Sequence, residues 1–150
     1  MNGIEWRCLA FDQLSAAQLY AVLQFRSEVF VVEQACIFQD MDGADAQAIH
    51  LLGSLQGRLV AYARCFDAGR KFAEASIGRV ATGAAVRGTG AGHALMRHAV
   101  DCLLQAWGAQ VIRIGAQAHL EGFYRQHGFH KAGPVYFEDG IAHIEMLRSI

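Results

Sequence analysis

Ile4, Trp6 and Cys8 alternate with Glu5 and Arg7, and this period of two predicts a half-buried strand over residues 4–11. The period then changes. Ser15-Ala16-Ala17-Gln18 has the form of a capping box, and beyond it Leu19, Val22, Leu23 and Phe30 recur at helical spacing. Arg26 falls on the same stripe, so a cation stands where a core-facing side chain is expected. Residues 33–48 turn polar and acidic, with Asp40, Asp42 and Asp45 around Gly43, and read as a loop. Residues 50–54 and 59–66 read as a hairpin around Gln56-Gly57-Arg58. A turn at 67–71 and a strand over 75–82 follow.

The strand ending near Thr82 runs into a glycine-rich turn, Arg87-Gly88-Thr89-Gly90-Ala91-Gly92. A helix over residues 90–107 follows, with Leu95, Ala99, Cys102, Leu103 and Ala106 on one face and Gly108 as its C-terminal stop. Residues 111–116 form a nearly continuous apolar run, the pattern of a strand buried on both faces. This strand–helix–strand unit predicts a right-handed parallel crossover. A short helix over 120–127 stops at Gly128, and strands at 135–138 and 141–147 flank the turn at Asp139-Gly140. The sum is an α/β domain with a mixed sheet. The chain has 150 residues, one proline (Pro134), no repeat and no linker, which suits a single domain over 1–150.

Composition excludes several classes. With 53% hydrophobic and 18% charged residues the chain is not of the disordered type. Thirteen basic against 14 acidic residues give no cationic footprint for nucleic acid. The first residues lack the charged start and apolar stretch of a signal peptide, and no run approaches the ~18 apolar residues of a membrane span. Cys8, Cys36, Cys65 and Cys102 have no CxxC spacing and read as reduced, mostly buried thiols of a cytoplasmic protein. His93 and His98 are five apart, and the remaining histidines are scattered, so no metal is expected. A homodimer is left open by the sequence.

Gly88, Gly90 and Gly92 let backbone approach a ligand closely, and the helix beginning there adds partial positive charge at its N-terminus. Together with Arg87 they suit a phosphate or pyrophosphate. The same glycines also suit a plain turn that permits tight strand–helix packing. The dinucleotide pattern GxGxxG fails because the third glycine comes one residue early, and no GxxxxGK[ST] string exists. A nucleotide-dependent oxidoreductase is thereby disfavoured.

Arg87, Gly90 and Gly92 resemble the pyrophosphate loop of GNAT N-acyltransferases, [RQ]xxGx[GA]. One strand further on, Phe123-Tyr124-Arg125-Gln126-His127-Gly128-Phe129 is similar to that family's second signature, a tyrosine on a short helix before Gly-Phe. Val29-Phe30-Val31-Val32-Glu33-Gln34, Ile77-Gly78-Arg79-Val80, Ala116-Gln117-Ala118-His119-Leu120 and the block from Glu138 to Met146 resemble the ElaA-type subgroup, with Ala142 where the subgroup usually has proline.

The resemblance implies a mixed, splayed sheet of about six to seven strands flanked by about four helices. It implies acetyl-CoA as cosubstrate, with pantetheine along Val80, Ala81 and Thr82, beside Gln117 where many relatives carry asparagine. The pyrophosphate would rest on Arg87 and the amides of Gly88, Thr89, Gly90, Ala91 and Gly92. The reaction implied is acetyl transfer to a small-molecule or peptide amine by direct attack; the alternative is a non-catalytic acyl-CoA sensor. Tyr124 takes the role of general acid near the CoA sulfur, and Glu33 and His119 are both candidates for the base. Arg26 and Arg79 are candidates to bind a carboxylate on the acceptor. The competing reading of Arg26 is an internal ion pair with Glu33, Asp40 or Asp42.

Overall fold

The computed structural model describes residues 3–150. Its strands are β1 (Ile4–Ala10), β2 (Ile49–Leu55), β3 (Arg58–Phe66), β4 (Ser76–Thr82), β5 (Ile112–Gln117), β6 (Phe129–Lys131), β7 (Tyr136–Glu138) and β8 (Ile141–Arg148). Its α-helices are α1 (Ala16–Arg26), α2 (Ala91–Trp107) and α3 (Glu121–Arg125). The described residues thus form eight strands and three α-helices, against the six to seven strands and four helices expected. The extra strand is β6, three residues behind Gly128 that are too short to show a period.

The capping box forms as expected: Gln18 N–H donates to Ser15 Oγ (3.0 Å), and Ser15 N–H donates to Gln18 Oε1 (2.9 Å). Beyond Arg26 the helix widens into a π-helical segment, Ser27–Glu33, which ends with Glu33 beside Arg87.

The strands form two antiparallel sheets. One runs β1-β2-β3-β4; the other runs β5-β8-β6, with β7 also on β8. They meet where Ala75 bridges Ile112 in parallel, and Arg113 N–H donates to the Ala75 carbonyl at 2.8 Å. Among the described residues no ladder joins β4 to β5 beyond that bridge, so the sheets part toward Thr82 and Gln117. Leu95, Met96, Ala99 and Leu103 of α2 pack against Ala61, Ala63 and Ile77 on one sheet and Ile112, Ile114 and Met146 on the other. Val22, Phe25 and Val29 cover the opposite face of the first sheet, on Leu52 and Tyr62.

The expectation that residues 111–116 are buried on both faces is corrected. Ile112, Ile114 and Ala116 are buried, but Gly115 is exposed because that face of β5 borders the gap between the sheets. No helix of the described residues is long and apolar enough to cross a membrane.

The reading of four reduced thiols is also corrected. Cys8 on β1 and Cys102 on α2 form a disulfide across 94 residues of chain, with Cα atoms 6.3 Å apart, while Cys36 and Cys65 are free. Spacing along the chain could not show a pair that only the docking of α2 beneath the first sheet brings together. Trp6 stacks on His98 beside it at 4.6 Å. Replacing Cys8 by serine, or adding reductant, should lower stability by about 2–4 kcal/mol. Urea unfolding with and without dithiothreitol checks this; coincident midpoints would contradict it.

Candidate active site

The parting of the sheets opens a cleft of about 500 Å³. One wall is β4, the other is Ile114, Gly115 and Gln117 of β5, with Tyr124 of α3 also lining it. Glu33 and Arg87 stand at one end, and Tyr136, Glu138 and His143 enter from the β7–β8 hairpin.

β4 carries a bulge at the cleft. Tyr62 pairs with Ala81 and Arg64 with Gly78, so Arg79 and Val80 together oppose one residue of β3. Arg79 sits at φ 51°, in the left-handed region that disfavours a side chain with a Cβ. Its guanidinium holds it there: Nε donates to Asp40 Oδ1 (2.9 Å) and Nη2 to the Asp40 carbonyl (3.0 Å). With β3 on one side and the gap on the other, the β4 backbone offers its cleft-facing polar groups to a ligand.

At the end of β4 the chain turns into α2. Gly88 and Gly90 have φ of 78° and 85°, the conformations for which glycine is suited. Gly92 is different: it lies inside α2, and a methyl there would meet the Phe123 ring at an ordinary 3.6 Å. Gly90 is the N-cap and supplies no side-chain acceptor, so the first amides of α2 are available to an anion. Thr89 contributes by tying its hydroxyl to the Val86 carbonyl. This cradle follows the β4 wall along the chain and suits an anionic group. Arg87 donates to the Thr82 carbonyl (2.8 and 3.0 Å) and forks onto both oxygens of Glu33 (2.6 and 3.2 Å).

The other residues singled out by sequence fall in distinct environments. Hydrogen bonding from Arg87 holds the Glu33 carboxyl below its ordinary range, which makes it a poor proton acceptor while that pair persists. His119 lines the cleft and is exposed. Tyr124 is buried between Phe123 and Phe129, and burial pushes its phenol up to about 12, so it stays protonated. Gln117 reaches Gln34 across the cleft at 3.4 Å.

Arg26 does not reach the cleft. It is 0% exposed and donates to Asp40 Oδ2 (2.9 Å), Asp45 Oδ1 (2.7 Å) and the Asp40 carbonyl (3.2 Å). Its assignment to the acceptor gives way to the internal ion pair. Arg64 of β3 joins the cluster through Asp42 (2.7 and 2.9 Å) and Asp45 (2.8 Å). Three arginines from α1, β3 and β4 thus hold one acidic loop. Arg79 lines the cleft, though Asp40 already engages it.

His50 completes the cluster. A carbonyl only accepts, so His50 Nε2–H donates to the Asp45 carbonyl (2.9 Å), leaving Nδ1 to accept from Tyr62 Oη–H (2.6 Å). Burial lowers the His50 pKa and keeps the ring neutral. Hydrogen bonds from Arg64 hold Asp42 well below the carboxylate range; for Asp45 burial pushes upward, but Arg26 and Arg64 together outweigh it. All three folded values are depressed, so their stabilisation is present above the unfolded values and lost as pH falls. Stability should therefore drop first below about pH 6.5, as unfolded His50 takes a proton, and again below about pH 4, as the aspartates do. Urea midpoints at pH 7.5, 5.5 and 3.5 should fall in that order; equal midpoints would refute it.

Tyr136, Glu138 and His143 were not singled out by role in the sequence. Asp139 and Gly140 both have positive φ (52° and 76°), a tight hairpin turn that makes Tyr136 and His143 register partners. The Asp-Gly signal with its two-residue alternation was the clue that these side chains share a face.

Among the described residues no group of three or more His, Cys, Asp or Glu is placed to hold a metal. His93 and His127, distant in sequence, meet at 2.9 Å beside Phe123.

Residues 12–150 match the family described as the acetyltransferase (GNAT) domain. The protein ElaA of Escherichia coli strain K12 is 44% identical over 149 residues, covering 98% of this chain and 97% of that protein. The crystal structure of Escherichia coli ElaA superposes with a TM-score of 0.91 at 43% identity, over 97% of this chain and 99% of that one. An acyl-CoA N-acyltransferase from Pseudomonas aeruginosa superposes with a TM-score of 0.93 at 41% identity, with the same coverage. Splayed sheets, bulged strand, open helix start and full-length likeness agree: the chain belongs to the GNAT acetyltransferase family and is of the ElaA type.

Proposed function

We propose that this acetyltransferase moves the acetyl group of acetyl-CoA to a primary amine, of a small molecule or a peptide, by direct attack on the thioester. The observation that carries the reading is a buried phenol, Tyr124, lining the cleft whose β4 wall leads to the open amides of α2. Bound acetyl-CoA supplies the activated acyl group. The amides from Gly88 to Gly92 hold its pyrophosphate, with Arg87 adding charge once it leaves Glu33. Backbone N–H groups of the bulged stretch, Val80 to Thr82, orient the pantetheine arm and polarise the acyl oxygen. Gln117 steadies the arm from β5. Tyr124, protonated and desolvated, delivers a proton to the leaving sulfur.

A non-catalytic acyl-CoA sensor is the second reading, and Tyr124 weighs against it because sensing has no use for that hydroxyl. Thiol release from acetyl-CoA, followed with benzylamine, spermidine and a lysine-containing tripeptide, separates the two. Amine-dependent release is expected. A thermal shift with acetyl-CoA, worth about 2.7 kcal/mol at a hundred times Kd, without any release would favour the sensor. A shift with NAD alone would remove both.

The donor supports a cytoplasmic site of action. The Cys8–Cys102 bond weighs the other way, since reducing compartments disfavour disulfides. Alkylation of thiols at the moment of lysis decides whether the bond exists in the cell.

A further inference from the structure

The β7–β8 hairpin brings an imidazole into the cleft with its tautomer already fixed. His143 Nδ1 lies 2.7 Å from the Ile141 carbonyl, which can only accept, so Nδ1 carries a proton and, in the neutral ring, the lone pair is on Nε2. The ring is 9% exposed, lines the cleft and stacks on Tyr136 with centroids 5.7 Å apart. Its Nε2 lies 3.8 Å from Glu138 Oε2. Tyr136 is seated by Gly115 of β5: a Cβ at that position would meet the Tyr136 hydroxyl at 2.8 Å. The titratable groups against the ring are Tyr136 and Glu138 of β7; its register partner on β5 is the neutral Gln117.

We propose that the ammonium of the acceptor docks between Glu138 and His143, and that His143 Nε2 is the general base of the transfer. This inference rests on the transferase reading above. Glu138 supplies the charge that attracts a cationic amine and then pairs with the imidazolium. Neither earlier candidate matches this geometry: Glu33 is forked onto Arg87, and His119 is exposed with, among the described residues, no hydrogen bond that fixes its tautomer.

The step balances. His143 Nε2 takes one proton from R–NH₃⁺, and the freed nitrogen lone pair forms the C–N bond. The C–S bond breaks with its electron pair on sulfur, which takes the Tyr124 proton. The second proton on nitrogen restores Tyr124, and His143 returns its own to solvent. The products are amide, CoA thiol and one proton.

The test compares two nucleophiles. Benzylamine is protonated at neutral pH and needs a base; methoxyamine is not and does not. His143→Gln should lower kcat for benzylamine by about 10²–10⁴-fold at pH 7 while methoxyamine turnover stays within a few-fold, and the benzylamine deficit should shrink as pH rises. Glu138→Gln should raise KM for benzylamine more than it lowers kcat. Acetyl-CoA binding and thermal unfolding, run alongside, should match the parent protein. A His143→Gln protein as active as the parent with benzylamine overturns the inference, as does an equal loss with both nucleophiles. A parent protein that binds acetyl-CoA but acetylates neither of these nucleophiles, nor spermidine nor the lysine-containing tripeptide, overturns the transferase reading and this inference together. Imidazole ¹⁵N shifts give a readout without turnover: in the neutral ring the Nδ1–H tautomer of His143 is expected, and the Nε2–H tautomer overturns the assignment.

Discussion

Replacing Asp40 by alanine is expected to destabilise the fold by about 3–5 kcal/mol, the range for removing one partner of a buried ion pair. A domain of this size has only about 5–15 kcal/mol in total. Asp40 is 7% exposed and serves two cations at once, Arg26 through Oδ2 and Arg79 through Oδ1. The alanine variant leaves the wholly buried Arg26 Nε without its acceptor. It also removes one of the two bonds from Arg79 to residue 40, leaving only that to the backbone carbonyl, so the hold on the bulge in β4 weakens. A double variant with Arg26→Met should recover part of the loss, because an apolar side chain of similar volume suits that site better than an unpaired guanidinium. Urea unfolding of the two single variants and the double variant measures the coupling. A loss under about 1 kcal/mol for Asp40→Ala would mean that the cluster is not the support described.

The largest catalytic effect is expected from Tyr124→Phe. The hydroxyl makes no hydrogen bond among the described residues, and the ring contacts with Phe123 and Phe129 survive the change. Stability and acetyl-CoA affinity should therefore be nearly unaltered, while kcat falls by about 10²–10⁴-fold as the thiolate leaves without its proton. With the phenol pushed up to about 12, Tyr124 adds no basic limb to the rate profile at ordinary working pH. Steady-state thiol release with calorimetric CoA binding checks both halves. A fall in kcat of less than threefold would remove Tyr124 from the proton path.

The parts of the fold that sequence disclosed are those encoded by neighbours. The Ser15–Gln18 box, the hairpin at Gln56-Gly57 and the Gly88–Gly90 turn into α2 each depend on a few adjacent side chains, and each formed as read. Tyr124 reached the cleft because its helix follows directly from the β5 wall. Arg26 was visible as a charge on an apolar stripe, but its partners lie 14 and 19 residues away, in a loop with no period of its own. Cys8 and Cys102 are further apart still, and only the seating of α2 unites them. β5 was misread because Gly115 looks apolar in sequence while serving as the floor under Tyr136. His143 stayed hidden for a related reason: its role depends on a carbonyl, a carboxylate and a tautomer, none of which leaves a pattern in one dimension.

The acidic loop also bears on how such a protein is re-engineered. Gln34, Cys36 and Phe38 of its first half line the cleft, so it is a natural place to exchange segments between relatives when a different acceptor is wanted. Its second half holds the counter-ions of Arg26, Arg64 and Arg79. A transplanted loop lacking aspartate at positions 40, 42 and 45 would strand Arg26 and Arg64 in the interior and leave Arg79 unpaired at the cleft, and the chimera would fail before its specificity was ever assayed. Libraries aimed at acceptor choice should fix those three positions and vary 36–39, together with positions of the adjoining hairpin other than Glu138 and His143.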